Sequence, residues 1–132
     1  MKYSYQSGSF YEGEAVDGKF QGHGIFHFHN GDIYEGNFEN DMFQGVGEYR
    51  YCSGDVYRGS FLNDMFHGVG TFSFTNGAIE KGKFHQDKRV GKFIHMDENE
   101  YFVNIYDRDQ LIKCEPVELS SVTEEKKPKK FM

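Results

Sequence analysis

Apolar and polar residues alternate along most of this chain of 132 residues. Residues 34–39 read YEGNFE and residues 45–51 read GVGEYRY, so that aromatic residues and glycines take every second position. This period of two is typical of a β-strand with one apolar and one polar face. Asn40 and Asp41 lie between the two segments and favour a turn, because both residue types tolerate the left-handed backbone conformation. The pattern therefore predicts a β-hairpin.

The hairpin pattern recurs with a fixed period. A Tyr-Glu-Gly or Tyr-Arg-Gly triplet returns every 23 residues and begins three aligned blocks, residues 11–33, 34–56 and 57–79. Repeats of about 20–50 residues stack on their neighbours in a row. The chain is therefore expected to form an extended binding surface rather than a catalytic pocket.

The two ends of the repeat array are irregular, as is usual for capping units. Residues 1–10 contain half a repeat. Residues 80–84 predict a further first strand. Residues 89–93 predict a shortened return strand, two residues closer than in the complete units and lacking one glycine of the Gly-x-Gly pair. Residues 101–106 and 111–114 predict a last, irregular strand pair.

Glycine recurs on the aromatic face of each predicted strand pair. Gly45 and Gly47 both fall on this face. Glycine weakens a strand unless another group packs closely on its bare backbone, and we expect rings such as Tyr34 and Phe38 to cover these positions. The predicted structural glycines are Gly13, Gly22, Gly24, Gly36, Gly45, Gly47, Gly59, Gly68 and Gly70.

This arrangement of tyrosine and glycine resembles the MORN (membrane occupation and recognition nexus) repeat, whose motif runs YxGxxxxGxxxGxGxxxxxxGxx. Residues 11–33 carry the motif almost completely, and the two following blocks carry it with Asp41 and Asp64 at the position of Gly18. The resemblance implies a surface that binds peptides or serves as a scaffold.

The expected fold is all-β: an elongated, solenoid-like, single-layer antiparallel meander of about four hairpins. One domain, residues 1–114, would comprise the half repeat, the three repeats, and a degenerate repeat with its cap at residues 80–114. Residues 115–132 are expected to form a short, irregular and flexible tail, because they combine low hydrophobicity with mixed charge.

Composition supports a single sheet layer and bears on location and partners. Only 37% of residues are hydrophobic although 17% are aromatic, as expected when one face of a sheet needs apolar side chains. The start MKYSYQSGSF lacks the apolar segment of a secretory signal, and two cysteines make no disulfide framework, so a reducing, cytoplasmic location is expected. Residues 1–114 hold 11 Lys and Arg against 17 Asp and Glu, which disfavours nucleic acid and anionic lipid as ligands of the repeats.

The aromatic face is the main candidate site. A single-layer sheet has no second layer over its apolar face, and a large exposed apolar patch usually marks an interaction surface. We expect this face to form a groove that binds a helix or extended peptide of a partner protein. Met42-Phe43 and Met65-Phe66 are interpreted as packing at the groove edge, with an adaptable contact ridge as the alternative. The residues predicted to form the groove are Tyr11, Phe26, Phe28, Tyr34, Tyr49, Tyr51, Tyr57, Phe72 and Phe74.

Catalysis and metal binding have little support in the sequence. Six histidines are present, and His27 and His29 are expected to share a strand face, but a zinc site needs several converging ligands. The chain contains no nucleophile motif and no phosphate-binding motif. No enzyme activity, cofactor or metal is therefore expected.

The lysine-rich end of the chain is a second candidate site. Lys126, Lys127, Lys129 and Lys130 lie in the predicted tail. They fit a solvated tail, a docking segment that becomes ordered on a partner, or a weak electrostatic contact with tubulin tails or anionic lipid. The sequence leaves open whether the groove is filled by another chain or by this tail.

These features together predict a non-enzymatic scaffold or adaptor in a large cytoskeletal assembly. The resemblance implies this setting, since small stand-alone MORN proteins are similar to those of cilia, axonemes and protist cytoskeletons, although likeness to a family does not fix function. Pairing at sheet edges or ends offers a route to oligomers. The alternatives are a peripheral membrane adaptor that uses the basic tail, with weak membrane contact, and a regulatory module for an enzyme in a separate chain.

Overall fold

The fold is one open antiparallel sheet, seen in a computed structural model that describes residues 1–117. Its eleven strands follow the order of the chain, and each pairs with the next. This confirms the all-β, single-layer meander predicted from the alternation of aromatic and polar residues. The strands are β1 (Lys2–Ser4), β2 (Phe10–Val16), β3 (Lys19–His27), β4 (Ile33–Glu39), β5 (Met42–Arg50), β6 (Val56–Leu62), β7 (Met65–Ser73), β8 (Ile79–His85), β9 (Lys88–Met96), β10 (Tyr101–Asp107) and β11 (Gln110–Pro116).

Turns form where the sequence places residues that accept a positive φ. In the β4–β5 hairpin, Asn40 and Asp41 have φ of 49° and 69°. Between hairpins, Gly54 has φ of 102°, which glycine adopts without steric cost. β10 and β11 confirm the strand pair predicted at residues 101–106 and 111–114, and β11 continues through Glu115 and Pro116, which the sequence analysis assigned to the tail. Within residues 1–117 there is no helix long and apolar enough to cross a membrane.

Each of the three complete repeats contains a β-bulge, which gives the two glycines of its Gly-x-Gly pair different surroundings. Gly36 pairs with Gly47, but Phe38 already pairs with Phe43, so β5 contains extra residues between these two pairs. Gly45 lies in the bulge with φ of 65°, and a Cβ there would face a polar side chain of β4 rather than a ring. Gly22 and Gly68 occupy the same position in their repeats. The expectation that rings cover both glycines of a pair is therefore wrong for the first glycine.

The second glycine of each pair lies beneath a tyrosine ring. A Cβ on Gly47 would come within 2.6 Å of Cε1 of Tyr34, so glycine alone leaves room for the ring. The Tyr34 hydroxyl donates a hydrogen bond of 2.8 Å to the carbonyl of Asn37, the bulge residue that has no partner on β5. Tyr11 with Gly24 and Tyr57 with Gly70 repeat this arrangement. Close packing of a ring on the backbone explains why glycine recurs at this position.

In the fourth repeat, the ring that covers a glycine comes from the second strand of the hairpin instead of the first. Glu80 stands where the earlier repeats have tyrosine, and Phe93 stands where they have the second glycine. The Phe93 ring is 1% exposed and covers Gly82, so the ring here comes from the return strand. β9 has nine residues, as β7 does, and the expected shortening of this strand is therefore wrong. Phe93 hid the register because it replaces the glycine by which the repeat is recognised.

Candidate functional site

The aromatic face has a floor of buried rings. Tyr34 stacks on Phe43 with ring centroids 3.9 Å apart and meets Phe38 edge-on at 5.1 Å. The sequence places Tyr11, Tyr34 and Tyr57 in the partner-binding groove, but all three are 0% exposed and present no surface to a partner. They support the rings above them instead. The buried cluster comprises Tyr11, Phe20, Tyr34, Phe38, Tyr57, Phe61, Phe84, Phe93 and Tyr106.

A second set of rings lies above this floor and reaches the surface. The ring centroids of Phe26 and Phe28 are 4.7 Å apart, and those of Tyr49 and Tyr51 are 4.8 Å apart. Phe43 and Phe66 share the same face, and their stacking on buried tyrosines agrees with the packing interpretation of the Met-Phe pairs. All of these rings are half-buried, and their assignment to a partner stays a prediction. We call the following set the aromatic groove: Phe26, Phe28, Phe43, Tyr49, Tyr51, Phe66, Phe72 and Phe74.

Two hollows open to solvent along the groove. The first has a volume of about 350 Å³ and lies across β3, β4 and β5. The second has a volume of about 260 Å³ and lies across β7, β8 and β9. Rings line both hollows, and carboxylates stand at their borders. The first is lined by Phe20, Phe26, Phe28, Phe38, Asp41, Phe43 and Asp64, and the second by Phe66, Phe72, Phe74, Glu80, Phe84, Asp87, Arg89 and Asp109.

An acidic row borders the groove along the hairpin turns. Asp64 accepts a hydrogen bond of 2.8 Å from the Phe43 amide, and the Asp64 amide donates one of 3.1 Å to the Phe43 carbonyl. This reciprocal pair fastens the turn of one repeat to the preceding repeat. Asp41 with Phe20, Asp87 with Phe66 and Asp109 with Arg89 form the same pair. In the sequence, Asp41 and Asp64 stand out only as departures from glycine, so this role is not evident there.

A second ladder of side chains lies at the opposite edge, where successive hairpins connect. Asp32 accepts hydrogen bonds from the Cys52 amide at 2.7 Å and from the Tyr49 hydroxyl at 2.8 Å. Although burial opposes its ionisation, these hydrogen bonds outweigh burial and hold the pKa of Asp32 below its ordinary value. Asp55 with Thr75 and Ser9 with His29 link neighbouring units in the same way. Both long edges of the groove therefore carry carboxylates.

The tyrosines of the aromatic face are neutral at physiological pH. Burial is the main cause that raises the pKa of Tyr34, Tyr49 and Tyr57 well above the ordinary value. Burial also raises the pKa of Tyr51 to about 12. The surface of the groove is consequently uncharged, and its electrostatic character comes from the acidic edges.

The other candidate residues are dispersed. His27 ends β3 and stacks on Phe10 with centroids 4.1 Å apart, whereas His29 lies beyond the strand, where its amide donates to Ser9. The expectation that the two histidines share a strand face is therefore wrong. Among the described residues, no three His, Cys, Asp or Glu side chains are grouped as metal ligands. The predicted docking residues Lys126, Lys127, Lys129 and Lys130 lie outside residues 1–117.

Comparison with known protein families finds the MORN repeat at residues 11–33, 34–56 and 57–79. These are the blocks that the period of 23 residues defines, and they span more than half of the 132 residues. A search of curated proteins finds no match. MORN repeats are modules for interaction with proteins or membranes and are not an enzyme family. The chain therefore belongs to the MORN repeat family.

Proposed function

We propose that the aromatic groove binds a basic, amphipathic helix or extended peptide from a partner protein, and that the chain acts as a non-enzymatic scaffold or adaptor. The observation that carries this proposal is a continuous row of half-buried rings between two acidic edges. No second layer covers these rings within residues 1–117. An apolar surface of this kind generally marks a contact with another macromolecule.

The shape of the groove favours a peptide over a small molecule. The two hollows lie several strands apart along the sheet. One extended ligand could place a side chain in each of them. The floor beneath them is rigid, because Tyr34 and its equivalents are held by ring stacking and by a hydrogen bond. A rigid aromatic surface binds at low cost in conformational entropy. Apolar anchors of the partner would enter the hollows.

The acidic edges define the charge of the partner. Asp41 and Asp64 border the first hollow, and Asp87 and Asp109 border the second. Carboxylates at an interface attract basic side chains and repel acidic ones. They also disfavour phosphate groups, so nucleic acid and anionic lipid are poor ligands for this face. The partner peptide is therefore expected to place Lys or Arg beside its apolar anchors.

The cellular setting is proposed from the resemblance to small stand-alone MORN proteins. On that basis the partner belongs to a cytoskeletal assembly in the cytoplasm, such as the axoneme. Likeness to a family is a weaker support than the geometry of the groove, so the first experiment addresses the groove.

Paired substitutions on the two faces of the sheet test the proposal. Phe28→Ser with Phe74→Ser removes rings that line the hollows, whereas Val46→Ser with Val69→Ser changes residues that are 66% and 57% exposed on the polar face. The partner peptide is first identified by proximity labelling with the wild-type chain, and its affinity is then measured by calorimetry. The groove pair should weaken binding by about tenfold or more, while the polar-face pair should leave it unchanged.

Melting temperatures of both double variants serve as the control for folding. If the two double variants weaken partner binding equally, or if only the polar-face variant weakens it, the groove is not the binding surface.

A further inference from the structure

The second hollow has a suitable occupant within its own chain. We infer that residues 118–132 fold back across the sheet, so that Phe131 enters the hollow between β7 and β9 and the neighbouring lysines meet the acidic turns. The same groove is used in the proposed function, but the inference concerns the protein without its partner. Each can therefore fail while the other stands.

The charge of the second hollow is negative. Among residues 1–117, Glu80, Asp87 and Asp109 line it together with one base, Arg89. Arg89 is already engaged, since its Nε lies 2.9 Å from Asp109 and its Nη1 lies 3.6 Å from Glu80. The carboxylates consequently outnumber the base by two. A ligand with several positive charges would compensate this excess.

The end of the chain carries the complementary chemistry. Residues 126–132 read KKPKKFM, with four lysines directly before Phe131 and Met132. Rings in the hollow offer edges and faces to a phenyl group, which favours edge-to-face or offset packing. The lysines lie next to this apolar pair in the sequence, and the acidic turns lie next to the rings in the hollow. The same short segment therefore matches both the apolar and the charged parts of the hollow.

The distance between the hollow and the last described residue is within reach. The amide of Val117 donates to the carbonyl of Tyr101 at 2.7 Å, which fixes this point beside β10 and β11. β7 lies four strands from β11, or about 19 Å at the usual strand spacing. Phe131 follows Val117 by 14 residues, an extended reach of about 46 Å. The first hollow lies farther along the sheet, so the same 14 residues would have to stretch further to reach it.

This arrangement has a consequence for partner binding. A segment that occupies the hollow competes with any partner peptide, and the apparent affinity falls with the fraction of open groove. Because lysines supply part of the attraction, added salt should release the segment. The chain would thus regulate access to its own binding surface.

Photo-crosslinking of the purified chain of 132 residues tests the inference. Phe131 is replaced by p-benzoylphenylalanine, which keeps an aromatic side chain at this position, and the crosslinked peptides are mapped by mass spectrometry. Crosslinks within one chain to the segment that contains Phe66, Phe72 and Phe74 are expected. Replacing the four lysines by serine should reduce their yield several-fold. Replacing Glu118, Glu124 and Glu125 by glutamine is the matched control, which should leave the yield unchanged or raise it.

Three results would overturn the inference. These are crosslinks that map to the polar face, crosslinks that join two chains, and an absence of crosslinks in a chain whose melting temperature equals that of the wild type. A yield that is insensitive to the lysine replacement would also contradict it, because the acidic turns would then play no part.

Discussion

At the scale of single residues, the fold depends on the positions of glycine in the strands. Gly47 and Tyr34 share one space, because the ring occupies the volume in which a Cβ would lie. Gly45, two positions earlier, meets a different need, since the bulge gives it φ of 65°. The period of two in the sequence assigns both glycines to one face and gives them one role. Their difference arises from the bulge, which the alternation of residues does not reveal.

Gly47→Val is expected to destabilise the fold by about 1–3 kcal/mol, because the new side chain and the Tyr34 ring cannot both fit. In a Tyr34→Ala background the same change should cost much less, since valine then fills vacated space. Tyr57→Ala removes the equivalent ring one repeat away and should leave the cost unchanged. Urea unfolding of each variant gives the comparison. An equal cost in the Tyr34→Ala and wild-type backgrounds would contradict the packing of this ring on glycine.

The ionised Asp32 is expected to stabilise the fold at neutral pH. Its hydrogen bonds hold its folded-state pKa below the unfolded value of about 3.9. The contribution is therefore present above that pH and is lost as the pH falls through the folded-state pKa. Asp32→Asn should lower the melting temperature at neutral pH, and the difference from the wild type should shrink below about pH 4.

Thermal melts across this pH range check the prediction, with Asp17→Asn at an exposed turn as the control. A difference between Asp32→Asn and the wild type that stays constant into strong acid would show that the charge of Asp32 does not matter.

At the scale of strands and turns, most of the fold follows from burial on one face of the sheet. That burial enforces the alternation from which the hairpins of residues 11–79 were predicted. The hydrogen bonds of the acidic row could not be predicted in this way, since Asp64 accepts one from Phe43, 21 residues earlier in the chain. Nor could alternation separate the floor of the groove from its surface. Tyr34 and Tyr49 occupy the same face, and only stacking on Phe43 shows that Tyr34 is covered.

The fourth repeat offers a test of the exchange between Glu80 and Phe93. Phe93→Gly alone should cost about 3–5 kcal/mol, because it leaves Gly82 uncovered and a cavity beside it. Adding Glu80→Tyr recreates the pairing that Tyr57 makes with Gly70 and should recover at least half of the loss. Urea unfolding of the single and double variants provides the measurement. A double variant as unstable as Phe93→Gly would show that the two positions do not share one space.

At the scale of the whole molecule, the acidic row and the ladder at the opposite edge stabilise the fold and also make the groove edges acidic. Each carboxylate in the turns fastens one repeat to its neighbour, which suits a fold stabilised by contacts between adjacent units. The same carboxylates give the groove its acidic edges. The open edge at β11 carries Lys113, Glu115 and Pro116, residue types that discourage the addition of another strand. Pairing of a partner strand at this edge is therefore disfavoured.

The most direct test of this account is photo-crosslinking in cells from two positions of β7 and the turn after it. A crosslinking side chain at position 74 faces the second hollow, whereas one at position 69 faces the opposite side of the sheet. If the aromatic groove binds the partner, a partner protein is captured from position 74 and not from position 69, and the captured peptide contains basic residues beside an apolar anchor. Capture of the same partner from position 69 alone, or equally from both positions, would contradict it.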